Sequence, residues 1–472
     1  MEKIEHYEFG IVGLGVMGRN LLLNMADHGF AVAGFDLDQQ KISLLKSEVS
    51  SVHLVQGTTQ VAQFVNLLRK PRAMMLLVPA GKHVDLAIES LLPHLEEGDI
   101  LIDGGNTFFA DTNRRVIALA EKKIHFFGMG ISGGEKGARY GPSMMPGGDK
   151  QAYKRLRPVF EAIAAKVNNE PCVDYMGNDS AGHYVKMVHN GIEYGIMQLI
   201  SEVYDIMKRG LEMNEEKIQE TFEEWNHSEL QSFLIEITAE ILKKQDDNTK
   251  QLLVNLISDT ARAKGTGKWT SQNAMELQVP VSVIDAAVTM RDLSFYKSER
   301  TKAAIHFPVI AFDAKTDELE PMIERLKNAL YVATIITYAQ GMAQLQVASK
   351  IYNYEINLEQ VAKIWRGGCI IRSASLQDFR IAFAKNPQLP NLLLDEEIGK
   401  TLQERQNDLR WLIKLSADQG IPVASFMAAL SYFDAYRSAK LPTNLIQAQR
   451  DYFGAHQYER IDQEGTFHTQ WD

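Results

Sequence analysis

The sequence predicts an α/β Rossmann-type N-terminal domain followed by a large all-α domain and a C-terminal tail. Three observations carry the prediction. A strand-like run, Glu8–Val12, passes through a glycine-rich turn into an apolar-periodic segment that ends near Asp27. Further apolar strand runs alternate with helix-like segments up to about residue 179. From about Ser180 to about Lys440 helical periodicity takes over and strand alternation nearly disappears. The expected divisions are 1–179, 180–440 and 441–472.

Within the first division, Gly13-Leu14-Gly15-Val16-Met17-Gly18 stands between the first strand and the first helix. In this order the first glycine makes the turn, the second admits a pyrophosphate, and the third lets helix and strand pack closely. The second strand run, Ala31–Phe35, ends in Asp36. A carboxylate about twenty residues past the glycines is placed to bond an adenosine ribose. It favours a free 2′-hydroxyl and repels a 2′-phosphate, so NAD is expected over NADP, with Lys41 as the nearest cation. Ala73–Val78 and Ile100–Asp103 read as further strands of a parallel, doubly wound sheet. Asp103-Gly104-Gly105-Asn106 leaves one of its ligand-facing ends. Two glycine-dense stretches follow, Gly128–Gly134 and Gly141–Gly148, and are expected to be loops offering N–H groups to an anion.

The stretch Gly182–Gly195, GHYVKMVHNGIEYG, sits inside a proline-free periodic run from about Ala181 to Met207 and is expected to be helical. At 100° per residue, Lys186, Asn190 and Glu193 share one narrow face, flanked by His189 and Tyr194. An amine, an amide and a carboxylic acid in line offer a base, an orienter and an acid; the bland alternative is a solvated helix face. Gly191 and Gly195 interrupt the helix at a cost of about 1 kcal/mol each relative to Ala, so a close approach to this backbone is expected.

Two polar interruptions follow. Lys264-Gly265-Thr266-Gly267-Lys268 resembles a phosphate-binding loop but lacks the full G-x-x-x-x-G-K spacing, which excludes nucleoside triphosphate hydrolysis. Arg291 lies in a largely apolar segment, where an ion pair or a bound anion should explain it. The paired glycines of Trp365–Arg372 read as a tight packing turn holding a buried Cys369. Arg450, Tyr452, Phe453, His456 and Tyr458 give the tail an aromatic character suited to docking.

Composition sets the outer limits. At 472 residues the chain needs more than one core, and 45% hydrophobic with 23% charged residues is globular. A net charge of −10 argues against nucleic acid as a general partner while leaving room for a local basic pocket. Two cysteines, no apolar leader and no membrane-length run give the expectation of a soluble cytoplasmic protein without a membrane partner. No compact His/Asp/Cys cluster suggests a metal.

LGVMG, IDGGN, ISGGEKGARYGPSMMPGG, GHYVKMVHNGIEYG, KGTGKWT, WRGGCIIRS and RDYFGAHQYER occur in this order along essentially the whole chain. Together they closely resemble decarboxylating 6-phosphogluconate dehydrogenase, the long form of the β-hydroxyacid dehydrogenase superfamily. The resemblance implies oxidation and decarboxylation of 6-phospho-D-gluconate to D-ribulose 5-phosphate and CO₂, with reduction of a nicotinamide cofactor. It implies Lys186 as base and then acid, and Glu193 as the acid that protonates the product carbon. Sugar-acid contacts fall on Asn106, Ser132, Gly133, Gly134, His189 and Asn190, and phosphate contacts on Tyr194, Lys264, Arg291 and Arg450; His456 is a further substrate contact. Cofactor contacts fall on Gly13 to Gly18, on Asp36, on Val78, Pro79 and Ala80, and on Asn106. A homodimer is implied in which each tail enters the partner's site. The chain departs from the family where most long-form members carry Asn-Arg-Thr and use NADP: here stand Asp36-Leu37-Asp38, and Pro79 replaces a usual lysine. Both departures favour NAD, with NADP as the alternative. The rival readings are another β-hydroxyacid dehydrogenase and a non-catalytic nucleotide and sugar-acid sensor.

Overall fold

The computed structural model describes residues 6–309 and 318–471. Seven strands form the N-terminal sheet: β1 (Phe9–Val12), β2 (Val32–Phe35), β3 (Val55–Thr58), β4 (Ala73–Leu76), β5 (Ile100–Asp103), β6 (His125–Ser132) and β7 (Ser143–Gly147). Their order is β3-β2-β1-β4-β5-β6-β7. The pairs from β3 across to β6 are parallel, and β7 runs antiparallel to β6. β1, β2, β4 and β5 are buried along their whole length, as continuous apolar runs covered by helices on both faces should be. The chain winds outward through β2 and β3, then returns to β4 on the other side of β1. The carboxyl ends of β1 and β4 therefore flank the switch point where such sheets bind ligands.

The glycine-dense stretches are strands over much of their length, which corrects the loop expectation. Gly128 and Gly130 lie within β6 and Gly147 ends β7. Their glycines serve close packing. A Cβ on Gly130 would overlap that of Lys186, one on Gly128 would stand 2.7 Å from His183 Nδ1, and one on Gly147 would strike the backbone of Gly182. The central helix Ala181–Asp205 thus rests directly on the sheet.

That helix is buried nearly all round, so it reads as the axis of a domain rather than a surface amphipath. It packs against the long helix Leu319–Ile351 and against Thr266–Glu276 and Ser282–Ser294. Gly191 and Gly195 mark two of these crossings: an added Cβ would stand 2.6 Å from the Cγ2 of Thr270 and of Thr337, respectively. The approach expected at these glycines is made by neighbouring helices. No helix among the described residues is long and apolar enough to cross a membrane.

The tail is built around Asp451, near the end of the helix Thr443–Gly454. Its buried carboxylate accepts from Gln457 N at 2.9 Å, Thr469 N at 3.1 Å, Trp471 Nε1 at 2.9 Å and His468 Nδ1 at 3.0 Å. These bonds fold the last residues, with their short Tyr458–Glu459 and Thr466–Phe467 hairpin, back onto the helix.

Candidate active site

The dinucleotide turn has the geometry its three glycines predict. Gly13 adopts φ +93°, and a Cβ there would stand 2.6 Å from Leu77 O, across the switch point. A Cβ on Gly18 would strike Gly13 O, so helix and strand meet without room for a side chain. Gly15 is the contrast: a Cβ would meet no protein atom within 4 Å, leaving its surface open to a ligand. A cleft of about 640 Å³ lies beside it, lined by Gly13, Gly15, Asp36, Lys41, Val78 and Pro79 among others. These features fit a nicotinamide dinucleotide: a glycine backbone for its pyrophosphate and a carboxylate for its ribose.

Asp36 is buried and accepts from Leu14 N at 2.7 Å, Asp38 N at 2.9 Å and Lys41 Nζ at 3.1 Å. Burial works to raise its pKa, but the two amides and Lys41 together outweigh it and hold the carboxyl below its usual value. The residue after it, Leu37, is exposed.

β6 ends at Ser132, and Gly133 with φ +111° turns the chain into the short helix Gly134–Tyr140. The turn Trp365–Arg372 closes over this point. Ser143 N donates to Gly368 O at 2.8 Å, Ile370 N to Ser132 Oγ at 3.4 Å, and a Cβ on Gly133 would stand 2.6 Å from Gly368 O. The paired glycines are therefore a packing turn, as expected, and they form the roof over the Ser132 side of the central helix.

Beneath this roof the central helix presents Lys186, His189, Asn190 and Glu193. Lys186 Nζ lies 3.4 Å from His189 Nδ1, which is 3.1 Å from Asn190 Oδ1 and 3.9 Å from Glu193 Oε2. His189 Nε2 is 3.3 Å from Ser132 Oγ, and its ring stands edge-on to Trp365 at 5.5 Å. Burial depresses the Lys186 pKa, with Glu193 and Cys369 pulling the other way. Burial likewise raises Glu193, opposed by Lys186 and Arg291. His189 is pushed well below its usual value by burial and by Lys186, against the hydrogen bond to Asn190. This is a sheltered site in which an amine is driven toward neutrality and a carboxyl toward its acid form. The Cys369 thiol, which donates to Trp365 O at 3.1 Å and lies within electrostatic range of Lys186, is pushed up to about 12 by burial, so it stays a thiol. Its nearness to Lys186 left no sequence signal, because the two lie on segments far apart in the chain.

Tyr194 joins the remaining cations. The Arg291 guanidinium stacks over its ring at 3.5 Å, and a Cβ on Gly267 would stand 2.6 Å from its Cε2. The Arg291 side chain meets this ring and Met197 Sδ at 3.6 Å, and it forms no ion pair among the described residues. Lys264 is exposed just ahead of the helix Thr266–Glu276, whose first residue follows a left-handed Gly265. Asn106 is exposed in the turn after β5; that turn is shaped by Asp103, which accepts from Gly105 N at 2.9 Å and Thr107 Oγ1 at 2.7 Å. Arg450 and His456 are exposed; Arg450 donates to Gln447 Oε1 at 2.9 Å, and the His456 ring stands edge-on to Phe453. Among the described residues no group of three His, Cys, Asp or Glu is placed to hold a metal ion.

A dinucleotide cleft at the sheet's switch point, together with a buried lysine and a half-buried carboxylic acid on the central helix, defines a nicotinamide-dependent dehydrogenase of the kind that joins a Rossmann-type domain to a helical one. Family models narrow this. Residues 8–177 match the NAD binding domain of 6-phosphogluconate dehydrogenase, and residues 182–471 match its C-terminal domain. The NADP(+)-dependent decarboxylating 6-phosphogluconate dehydrogenase of Bacillus subtilis is 51% identical over 464 residues, covering 98% of this chain and 99% of that one. The decarboxylating enzyme of Escherichia coli is 49% identical over 465 residues, with 98% and 99% coverage. The Plasmodium falciparum 6-phosphogluconate dehydrogenase, solved in its apo form and with NADP+ or 6-phosphogluconate, superimposes with a TM-score of 0.96 at 44% identity, covering 98% and 100%. The chain belongs to the decarboxylating 6-phosphogluconate dehydrogenases.

Proposed function

We infer that the chain oxidises and decarboxylates 6-phospho-D-gluconate to D-ribulose 5-phosphate and CO₂. The observation that carries the reading is the Lys186–His189–Glu193 group, in which His189 Nδ1 stands 3.4 Å from Lys186 Nζ and 3.9 Å from Glu193 Oε2, with burial driving the amine pKa down and the carboxyl pKa up. The chemistry needs that pair of states. A neutral Lys186 takes the proton of the 3-hydroxyl. A nicotinamide dinucleotide held at the Gly13–Gly18 turn would supply the hydride acceptor for C3. Lys186, now protonated, faces the new carbonyl oxygen and stabilises the negative charge that grows there as CO₂ leaves. Glu193, whose pKa burial raises, gives its proton as the acid to C1 of the enediol. Asn106, Ser132, Gly133, Gly134, His189 and Asn190 are assigned to the sugar-acid chain. Tyr194, Lys264 and Arg291 are assigned to the phosphate, remote from the bonds that change, where binding energy serves positioning.

For the cofactor, the relatives and the chain's own residues point in different directions. The B. subtilis relative is named NADP(+)-dependent and the P. falciparum structures hold NADP+, which favours NADP over the expectation from the sequence. The geometry at Asp36 favours NAD: a buried, ionised carboxylate at the ribose position repels a 2′-phosphate, and Lys41 is already bonded to it. Initial rates with 6-phosphogluconate, comparing kcat/KM for NAD and NADP in one buffer, decide between them. Turnover with neither cofactor would sink the enzymatic reading itself and leave the sensor.

The tail supports a homodimer in which Arg450 and His456 complete the partner's phosphate and substrate contacts. Leu445 and Phe453 on the tail helix are 62% and 72% exposed, an apolar face suited to a protein surface rather than to water.

A further inference from the structure

Two turns at the carboxyl end of the sheet carry residues assigned to the dinucleotide: residues 78–81 after β4 and residues 103–106 after β5. They face each other closely, since a Cβ on Gly105 would stand 3.6 Å from Val78 O. The first turn leads into the helix Lys82–Leu91, whose His83, Leu86, Ala87 and Ser90 line the cleft that holds Asp36.

One guanidinium lies behind both turns. Arg115, on the helix Phe109–Ala120, is 2% exposed. Its Nε donates to Asp85 Oδ1 at 2.8 Å, and its Nη2 donates to Asp85 Oδ2 at 3.1 Å and to Gly81 O at 3.0 Å. Gly81 is the N-cap of the helix Lys82–Leu91 and Asp85 lies in its first turn, so this edge of the fork grips the point where the first turn becomes helix. The other edge faces the second turn, with Nη1 3.6 Å from Asp103 Oδ2. That distance is too long for a hydrogen bond, but both groups are buried, where charge attraction is strong. Asp103 in turn accepts from Gly105 N at 2.9 Å and Thr107 Oγ1 at 2.7 Å, which shapes the second turn around it. A planar guanidinium can serve two carboxylates along two edges, whereas an ammonium is a point charge. The helix that carries Arg115 is also tied to the central helix, with Thr112 Oγ1 2.6 Å from His183 Nδ1.

We propose that Arg115 is a positioning residue that sets the spacing of the two dinucleotide-facing turns before the cofactor binds and keeps them in register with the helix that carries Lys186. The proposal rests on the dinucleotide-dependent reading given above. Arg115 acts through Gly81, Asp85 and Asp103 rather than by touching either ligand. With both turns preset, the dinucleotide has no loop to order on binding, and the affinity that ordering would remove is kept.

Arg115→Lys keeps a positive charge between the two carboxylates and removes the fork. Asp85→Asn, at a side chain 32% exposed, loosens the Gly81 edge alone. Calorimetric titration of the full-length proteins uses whichever of NAD and NADP the wild type binds more tightly. In Arg115→Lys the dissociation constant for the dinucleotide is expected to rise about tenfold. That for 6-phosphogluconate, titrated without dinucleotide, is expected to be nearly unchanged. Hydrogen exchange in the free protein is expected to quicken at both Val84 N, which donates to Gly81 O at 3.0 Å, and Gly105 N. Unchanged dinucleotide affinity in folded Arg115→Lys would overturn the proposal. Equal weakening of both ligands would also overturn it, as the mark of general loosening, and so would faster exchange at one turn alone. If Arg115→Lys does not fold, Asp85→Asn decides by the same two titrations: selective loss of dinucleotide affinity supports the proposal, and its absence overturns it. A wild type that binds the dinucleotide without oxidising 6-phosphogluconate would refute the assigned reaction instead and leave the test of Arg115 standing.

Discussion

Gly130→Ala tests whether the sheet and the central helix jointly set the position of Lys186. The new Cβ would overlap Lys186 Cβ and stand 2.8 Å from its Cγ and 3.3 Å from Gly182 O. Ordinary carbon contacts lie at about 3.5–4.0 Å, so helix and strand must part by about 1 Å. They cannot part locally, because Gly128 and Gly147 bind the same helix to the sheet at the same closeness. Overpacking of this kind costs about 1–3 kcal/mol. The chain-stiffening benefit of Gly→Ala, about 0.4–1 kcal/mol, offsets only part of it. A shift of about 1 Å at a reacting group also lowers turnover by on the order of 10²-fold. Urea unfolding and steady-state kinetics on the same preparation measure both effects. A variant with wild-type stability and wild-type kcat would refute the claim that this contact fixes the lysine.

Glu193→Gln should slow delivery of the proton to the product carbon by about 10²–10⁴-fold while sparing hydride transfer, and stopped-flow separates the two steps; equal loss in both would count against the division of labour. Glu202, buried on the same central helix beside Ser425 N and Phe426 N, is pushed up from 4.5 to about 7 by burial. Between those values the folded chain keeps a proton that the unfolded chain has released, so stability falls as pH rises, by about 1.4 kcal/mol per unit, and levels off above about 7. Glu202→Gln is expected to remove that slope from the unfolding free energy, and an unchanged slope would assign it elsewhere. Arg450→Ala should raise KM for 6-phosphogluconate. Dissociating and re-associating a mixture with Lys186→Ala should restore activity, because each mixed dimer has one intact site; absence of restoration would argue against tail exchange.

Local signals were legible in the sequence where one segment carries the whole pattern. Gly13, Gly15 and Gly18 read correctly as turn, open backbone and close packing because all three tasks lie within one strand-turn-helix unit. The helix carrying Lys186, Asn190 and Glu193 was legible from its unbroken 3.6-residue period. Gly128–Gly134 and Gly141–Gly148 misled because glycine weakens strand patterning, and its purpose here lies in a helix that comes later in the chain. The same limit hid the Ile370–Ser132 contact, the placing of Cys369 beside Lys186 and the stacking of Arg291 on Tyr194. Each joins segments with no local pattern in common. Asp451 carries no local pattern that marks it, yet its four donors, which come from residues further along the chain, organise the tail.

The most direct measurement uses 6-phosphogluconate labelled with carbon-13 at C1, with labelled CO₂ and reduced nicotinamide followed together in the wild type and in Lys186→Ala. The account predicts one CO₂ for each nicotinamide reduced in the wild type, and near-complete loss of both in a variant that still folds and binds the dinucleotide. Reduction without CO₂, or near-normal turnover of Lys186→Ala, would contradict it.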